Sequence, residues 1–312
     1  TYKANATISG GSKNATFSAS AGYLNKDGIL RNTSHESYNL RLKSDFTFLN
    51  NRVTIGETLI LRMGEAKGRS DHEMNGLLRF PSVIPVYDPT NSSGWGTSAD
   101  INLPNPLANS VIIDKKNEST QIFLNAYLQA EIIKGLKYKL NLGLRRNHTK
   151  YRTYESSYDL GTFGINEKPD LSESFSNDDS WVLENTLNYD RTFGKHNLSA
   201  MAGYSAQKDQ HYNLDGSNSD LPEFIYTMTG NVNTMKATST LNELALVSLF
   251  GRVMYSYDDR YLLSASIRRD GSSRFKKGYQ YGSFPSVSVG WNISREKFFQ
   301  PLTDIFDQVK LR

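Results

Sequence analysis

The sequence predicts an all-β chain, folded as part of an antiparallel up-and-down transmembrane β-barrel, and three observations carry that expectation. Apolar and polar side chains alternate along about eleven separate runs, the period of a strand with one greasy and one wet face. Connections between those runs alternate between short and long. No stretch of about 18 apolar residues occurs, so nothing in the chain reads as a membrane-crossing helix.

Composition agrees. The 312 residues include 18 Tyr, 15 Phe and 23 Gly but only 9 Pro, a mixture that favours strands and turns. A mean hydropathy of -0.54 excludes a helical membrane bundle, and a barrel tolerates it because its lumen and loops are polar. The absence of Cys removes disulfides, thiolate metal sites and Cys nucleophiles. Net charge is +4, with the two signs interspersed, so no basic block points to nucleic acid.

In chain order, Tyr2–Ser9 and Ala15–Tyr23 form the first hairpin across Gly10–Asn14, and a polar loop covers 25–37. Tyr38, Leu40, Leu42, Phe46 and Phe48 then alternate with Arg41, Lys43 and Asp45; the chain turns at Asn50-Asn51 and returns along Val53–Arg62. A very long loop, about 65–119, precedes the third hairpin. There Ile122, Leu124, Ala126, Leu128, Ala130 and Ile132 share a face, Lys134-Gly135 makes the turn, and Leu136–Leu144 alternates with Lys137, Lys139, Asn141 and Arg145. After a second long loop, 151–179, Trp181–Tyr189 pairs with Leu198–Tyr204, and a third spans 207–242. Three closing runs, at 248–257, 261–270 and 286–293, place Arg252, Arg268 and Asp270 opposite their apolar stripes. Asp258-Asp259-Arg260 turns the chain between the first two.

Alternation alone does not say whether the apolar face meets protein or lipid. Loop parity does. In an up-and-down barrel every second connection lies at the same end, so the long loops fall on one rim and the tight turns on the other, as in outer-membrane barrels. A Greek-key sandwich gives no reason for that sorting. Runs of about 9 to 11 residues also suit a tilted strand crossing a bilayer. Single-chain bacterial barrels close with even strand numbers. An odd count, with strand-like residues at both Tyr2 and Val309–Arg312, reads as an internal piece of a longer protein.

Particular residues resemble one family. Leu249-Phe250-Gly251-Arg252-Val253, Tyr255–Tyr261, Ser266–Phe275 and Phe284–Trp291 are similar to the SusC/RagA-type TonB-dependent transporters of Bacteroidota outer membranes. Weaker echoes stand at Ile8–Gly11, Gly22-Tyr23-Leu24, Pro85–Asp88 and Asn105-Pro106-Leu107. The resemblance implies a barrel of about 22 strands, with residues 1–312 forming part of it and the plug domain and remaining strands outside this chain. It also implies energy from TonB through the missing N-terminal part and a SusD-like surface lipoprotein acting as lid. The implied cargo is a glycan or peptide oligomer. A siderophore-type receptor, an adhesin or enzyme built on a barrel, and a soluble β-rich module are the competing readings.

No catalytic constellation is visible, so an enzyme is not expected. His35, His72, His148, His196 and His211 are scattered without metal-ligand spacing. Asp215, Asn218 and Asp220 are rich in oxygen but fail the EF-hand spacing, so calcium there is weakly supported and a solvated loop is the simpler reading. No other cofactor is indicated. Arg41, Lys43, Lys137, Lys139, Arg145, Arg252, Arg268 and Asp270 are expected to face the lumen. For Arg268 and Asp270, a local salt-bridge ladder outweighs a substrate contact. Among the aromatics assigned to long loops, Tyr87, Trp95, Tyr158, Phe224 and Tyr226 are the expected substrate or lid contacts, since aromatic faces stack on sugar rings. Phe80, Tyr154, Phe163 and Tyr212 share those loops.

Overall fold

The computed structural model describes residues 1–68, 76–91, 93–97, 103–160, 164–302 and 305–312. Eleven long strands follow one another in a single antiparallel sheet: β1 (Tyr2–Gly11), β2 (Ala15–Asp27), β3 (Ser34–Phe48), β4 (Val53–Lys67), β5 (Ile113–Ile133), β6 (Leu136–Glu155), β9 (Asp170–Phe193), β10 (His196–Ser219), β11 (Lys236–Tyr257), β12 (Tyr261–Ser272) and β13 (Tyr281–Asn292). Between β6 and β9, β7 (Tyr158–Asp159) and β8 (Ile165–Asn166) form a separate small hairpin. A twelfth strand, β14 (Lys310–Leu311), pairs with the end of β13. A short helix, α1 (Pro106–Ile112), lies before β5, a single helical turn covers 76–79, and 3-10 turns at Ile293–Arg295 and Lys297–Leu302 follow β13.

Connections sort by parity as the sequence predicts. One end carries the turns 12–14, 49–52, 134–135, 194–195 and 258–260; the other carries 28–33, 68–112, 156–169, 220–235 and 273–280. Turn chemistry explains the tight end. Gly135 and Gly194 take positive φ, and Asp258 and Asp259, at φ 52 and 53, form a primed turn closed by Arg260 N–H to the Tyr257 carbonyl at 2.9 Å.

Strand length is where the sequence reading needs correction. β5, β6, β9, β10 and β11 run for 21, 20, 24, 24 and 22 residues rather than 9 to 11, and consume much of the stretches read as long loops. The added halves are polar on both faces and so lack the period that marks a half-buried strand. Register shows what replaces it. On the face that carries Leu124, Leu144, Trp181 and Ala206 lower down, the strands continue upward into ion pairs: Arg146–Asp179 at 2.6 Å, Lys150–Glu173 at 2.7 Å, Arg152–Asp114 at 2.7 Å, Lys116 to Glu65 and Glu118 at 2.9 and 2.6 Å, and Lys208–Glu243 at 2.7 Å. The apolar band ends on a line through Met63, Ile122, Leu144 and Trp181.

Among the described residues the sheet has no second layer. Apart from proline and glycine, only seven apolar residues are buried among those described, Ala108, Ile112, Tyr154, Leu160, Leu171, Leu221 and Phe299, and all lie in loops, in helical turns or at strand ends. Accessible surface is 20665 Å², where a compact soluble chain of 35.1 kDa exposes about 13,000 Å². Leu42, Ile55, Leu144, Trp181, Leu187, Val253, Ile267 and Val287 stand exposed on one continuous face. An apolar face of that size, banded by Tyr and Trp at both edges, fits hydrocarbon as its solvent. The chain is thus a partial transmembrane β-barrel, its sheet left open.

Candidate functional site

Two regions gather the residues singled out from sequence: the polar face of the sheet and the rim formed by the longer connections. Antiparallel pairing decides the first. Arg41 lies in one row with Ile60, Phe123 and Arg145, and Arg252, Arg268 and Asp270 continue the same parity on β11 and β12. Lys43, Lys137 and Lys139 share it too, so all eight predicted residues stand on one face.

Local chemistry on that face is mostly self-satisfied. Arg268 binds Asp270 at 2.6 Å, two residues along the same strand, and donates to Ser248 Oγ on β11 at 3.0 Å, so the ion pair runs within a strand rather than as a ladder between strands. Lys43 pairs with Asp45 at 3.7 Å, and Asp45 also accepts from Tyr127 Oη at 2.6 Å. Lys139 lies 5.0 Å above the Tyr127 ring. Gly56 makes this crossing possible, because a Cβ there would stand 2.3 Å from Asp45 Oδ1 and 2.4 Å from the Tyr127 ring. Sequence reading named neither Tyr127 nor Gly56; a glycine inside an alternating strand was the available signal.

At the rim, Asn105 organises the first connection. Its side chain caps α1 by accepting from Leu107 N–H at 3.0 Å, while its amide donates to the Val86 and Gly96 carbonyls at 2.9 and 3.0 Å. That clamp presents Tyr87 against Trp95, stacked at 5.1 Å. Trp95 packs onto Ala108, Ile112 and Leu160 together with Tyr158, whereas Tyr87 stays 60% exposed. Burial pushes the Tyr158 hydroxyl pKa up.

A second rim cluster joins Tyr154, Leu171 and Leu221. Tyr154, taken from sequence as an exposed loop aromatic, is 3% exposed: it ends β6, lies 4.6 Å from Tyr226, and accepts the Phe224 N–H at 2.9 Å. Tyr226 in turn carries Arg152 4.7 Å above its ring. Phe224 is left 74% exposed. Tyr212 sits within β10 rather than a loop, and Phe163 and His72 lie outside the described residues. Asp215, Asn218 and Asp220 do not converge as a solvated loop. Asn218 is 1% exposed and bonded to Thr229 and Thr234, while Asp220 takes Lys168 and Asn231, which hold its carboxyl below the usual range. His196 and His211 bond to Tyr255 and Asp178, and no group of metal-binding side chains occurs among the described residues.

No family model matches the chain. Among curated proteins it is 30% identical over 313 residues to TonB-dependent receptor P3 of Formosa agariphila, 30% over 320 residues to TonB-dependent receptor P39 of the same organism, and 24% over 330 residues to TonB-dependent receptor SusC of Bacteroides thetaiotaomicron. These matches take in 94%, 99% and 98% of this chain. Among solved structures, the RagAB peptide transporter superposes with a TM-score of 0.77 at 22% identity over 96% of the chain. The chain is a SusC/RagA-like TonB-dependent transporter segment.

This SusC/RagA-like segment spans about a third of the length of its curated relatives, 30%, 30% and 32% respectively, and 34% of the RagAB chain. The ferric citrate transporter FecA superposes less well, with a TM-score of 0.53 at 11% identity. The relatives are named as receptors and transporters.

Proposed function

We propose that this SusC/RagA-like segment is part of the pore wall of an active transporter in the outer membrane of a Gram-negative bacterium. It imports oligomeric nutrients, glycans or peptides, with a surface lipoprotein as lid, and draws energy through TonB. The plug domain and the remaining strands come from the rest of the polypeptide. The observation that carries this reading is the 30% identity to TonB-dependent receptors along nearly the whole chain, together with a wall whose two faces differ in kind. The apolar face meets lipid. The face with Arg41, Lys43, Lys137, Lys139, Arg145, Arg252, Arg268 and Asp270 lines the lumen, and Tyr87 and Phe224 supply rim contacts. RagAB proteins, described as peptide transporters and importers, superpose better than the siderophore receptors, which favours oligomers over iron chelates.

Deleting the gene for the whole protein tests the proposal. Growth on one class of oligomer is expected to fail while growth on its monomers continues, and a surface lipoprotein is expected to co-purify with the tagged transporter. Undiminished growth on every oligomer, with loss of ferric chelate uptake, overturns it in favour of the siderophore class.

A further inference from the structure

Four arginines on the polar face, Arg41, Arg62, Arg145 and Arg252, lack among the described residues the partners that their neighbours have, and the first three stand together. Arg41, Arg62 and Arg145 are exposed and make no ion pair or hydrogen bond among the described residues, in contrast to Lys43 and Arg268, each tied to an aspartate. Pairing register brings them together. Arg41 and Arg145 share a row with Ile60 and Phe123 between them, three strand spacings or about 14 Å apart. Arg62 is two residues along β4 from Ile60, on the diagonal from Arg41 at about 7–8 Å.

The three line connected hollows. Arg62 and Arg145 border a concavity of about 670 Å³ with Ile60, Phe123, Gln121 and Asn147, and Arg41 and Arg62 border an adjoining one of about 460 Å³. Ile60 and Arg62 belong to both. The nearby carboxylates are already engaged: Asp178, which borders the larger hollow in the row of Arg62, by Asn147 and His211, Asp209 in the row of Arg145 by Ser180 and Gln207, and Asp45 by Lys43 and Tyr127. Three guanidinium groups without ion pairs among the described residues therefore surround an apolar floor, with amide groups and the engaged Asp178 carboxylate beside them. Guanidinium forks match carboxylates two bonds at a time, and such charge-assisted bonds are the strong ones.

We propose that Arg41, Arg62 and Arg145 form a subsite on the lumen wall for the carboxylates of an acidic oligomer, its uncharged backbone lying on Ile60 and Phe123. This rests on the transporter reading, which turns the polar face to the lumen. Spacing of the arginines suits a repeating acid, since Arg41 and Arg145 stand three strands apart and can each take a separate carboxylate.

The test uses the full-length transporter in detergent and calorimetric titration with two matched pairs of probes: hexagalacturonate against its fully methyl-esterified form, and hexaglutamate against hexaglutamine. In one pair the acidic member is expected to bind wild type at least about tenfold more tightly than the neutral member, and which pair responds identifies a sugar or a peptide as the source. The R41Q/R62Q/R145Q variant is expected to lose that preference, and the corresponding triple Lys variant to recover most of it in a salt-sensitive manner. Wild type that treats both members of both pairs alike overturns the subsite, as does a preference that persists in the Gln variant. Should the Gln variant fold poorly, a preference in wild type and the Lys variant that does not fall with rising salt overturns it equally. Uptake of a neutral oligomer separates the two proposals. If uptake occurs in wild type without any acidic preference, only the subsite fails; if no oligomer enters, the transporter reading fails.

Discussion

Single side chains fix the two ends of this wall. Asn105 satisfies two loop carbonyls and two helix N–H groups from a position that is 1% exposed. Replacing it with Ala leaves those groups without partners, a cost of about 1–3 kcal/mol that falls on the 76–112 connection alone. Limited proteolysis of the whole protein is expected to cut that connection faster in Asn105→Ala while the strands stay intact. At the opposite end, Glu296 accepts from Tyr261 at 2.8 Å, Trp291 at 3.1 Å and Arg260 at 3.3 Å, and Asp258 is held by Arg260 at 2.5 Å and Lys195 at 3.2 Å. Hydrogen bonds from Arg260 and Lys195 hold the Asp258 carboxyl below its ordinary pKa, and those from Tyr261 and Trp291 do the same for Glu296. A depressed carboxylate stabilises the fold above its unfolded pKa and loses that contribution as pH falls through the folded one. Melting temperature is therefore expected to drop on acidification below about pH 4, and less steeply in an Asp258→Asn, Glu296→Gln double variant.

Elements divide into halves of different physics. In the band between Leu136 and Leu144 on β6, one face is continuously apolar; above Arg146 the same face is paired charge. Substitutions are expected to sort accordingly. Leu142→Arg places a cation against hydrocarbon and costs about 2–4 kcal/mol, whereas Asp179→Ala breaks an exposed pair and costs less than about 1 kcal/mol. Denaturant titration in lipid vesicles measures both, and equal costs would remove the lipid boundary from its place above Leu144. The same division decides what was legible in the sequence. Period-two alternation exposed the lower halves and the face of each named charge, and Gly, Asn and Asp marked the turns. Upper halves such as Lys150–Glu155 and Asp170–Ser180 alternate nothing apolar, so only pairing across strands makes them visible. Arg62 was read as a strand terminus for that reason. Glu296 meets Tyr261 from 35 positions away, a contact that no local pattern announces.

As a whole the molecule is one curtain of strands, with its core replaced by two solvents. Trp181 and Trp291 lie on the apolar face at its upper and lower edges, and Trp95 sits in the rim cluster. Brominated acyl chains are expected to quench the emission lost in Trp181→Phe and Trp291→Phe variants of the full protein and to leave the emission lost in Trp95→Phe unquenched. Equal quenching of all three would contradict the orientation.

The parity of the middle strands divides the upper wall into two sides. Tyr154, which holds Phe224 at the rim, stands nine positions along β6 from Arg145, an odd number, so the two side chains leave opposite faces of the sheet. The Tyr154 cluster therefore shares its face with Leu144 and Arg146, and Arg145 shares the other with Phe123 and Arg41. Whatever touches the Tyr154 cluster reaches it from one side of the wall and whatever touches Arg145 from the other, so a substitution at either level is expected to leave the contacts of the other unchanged.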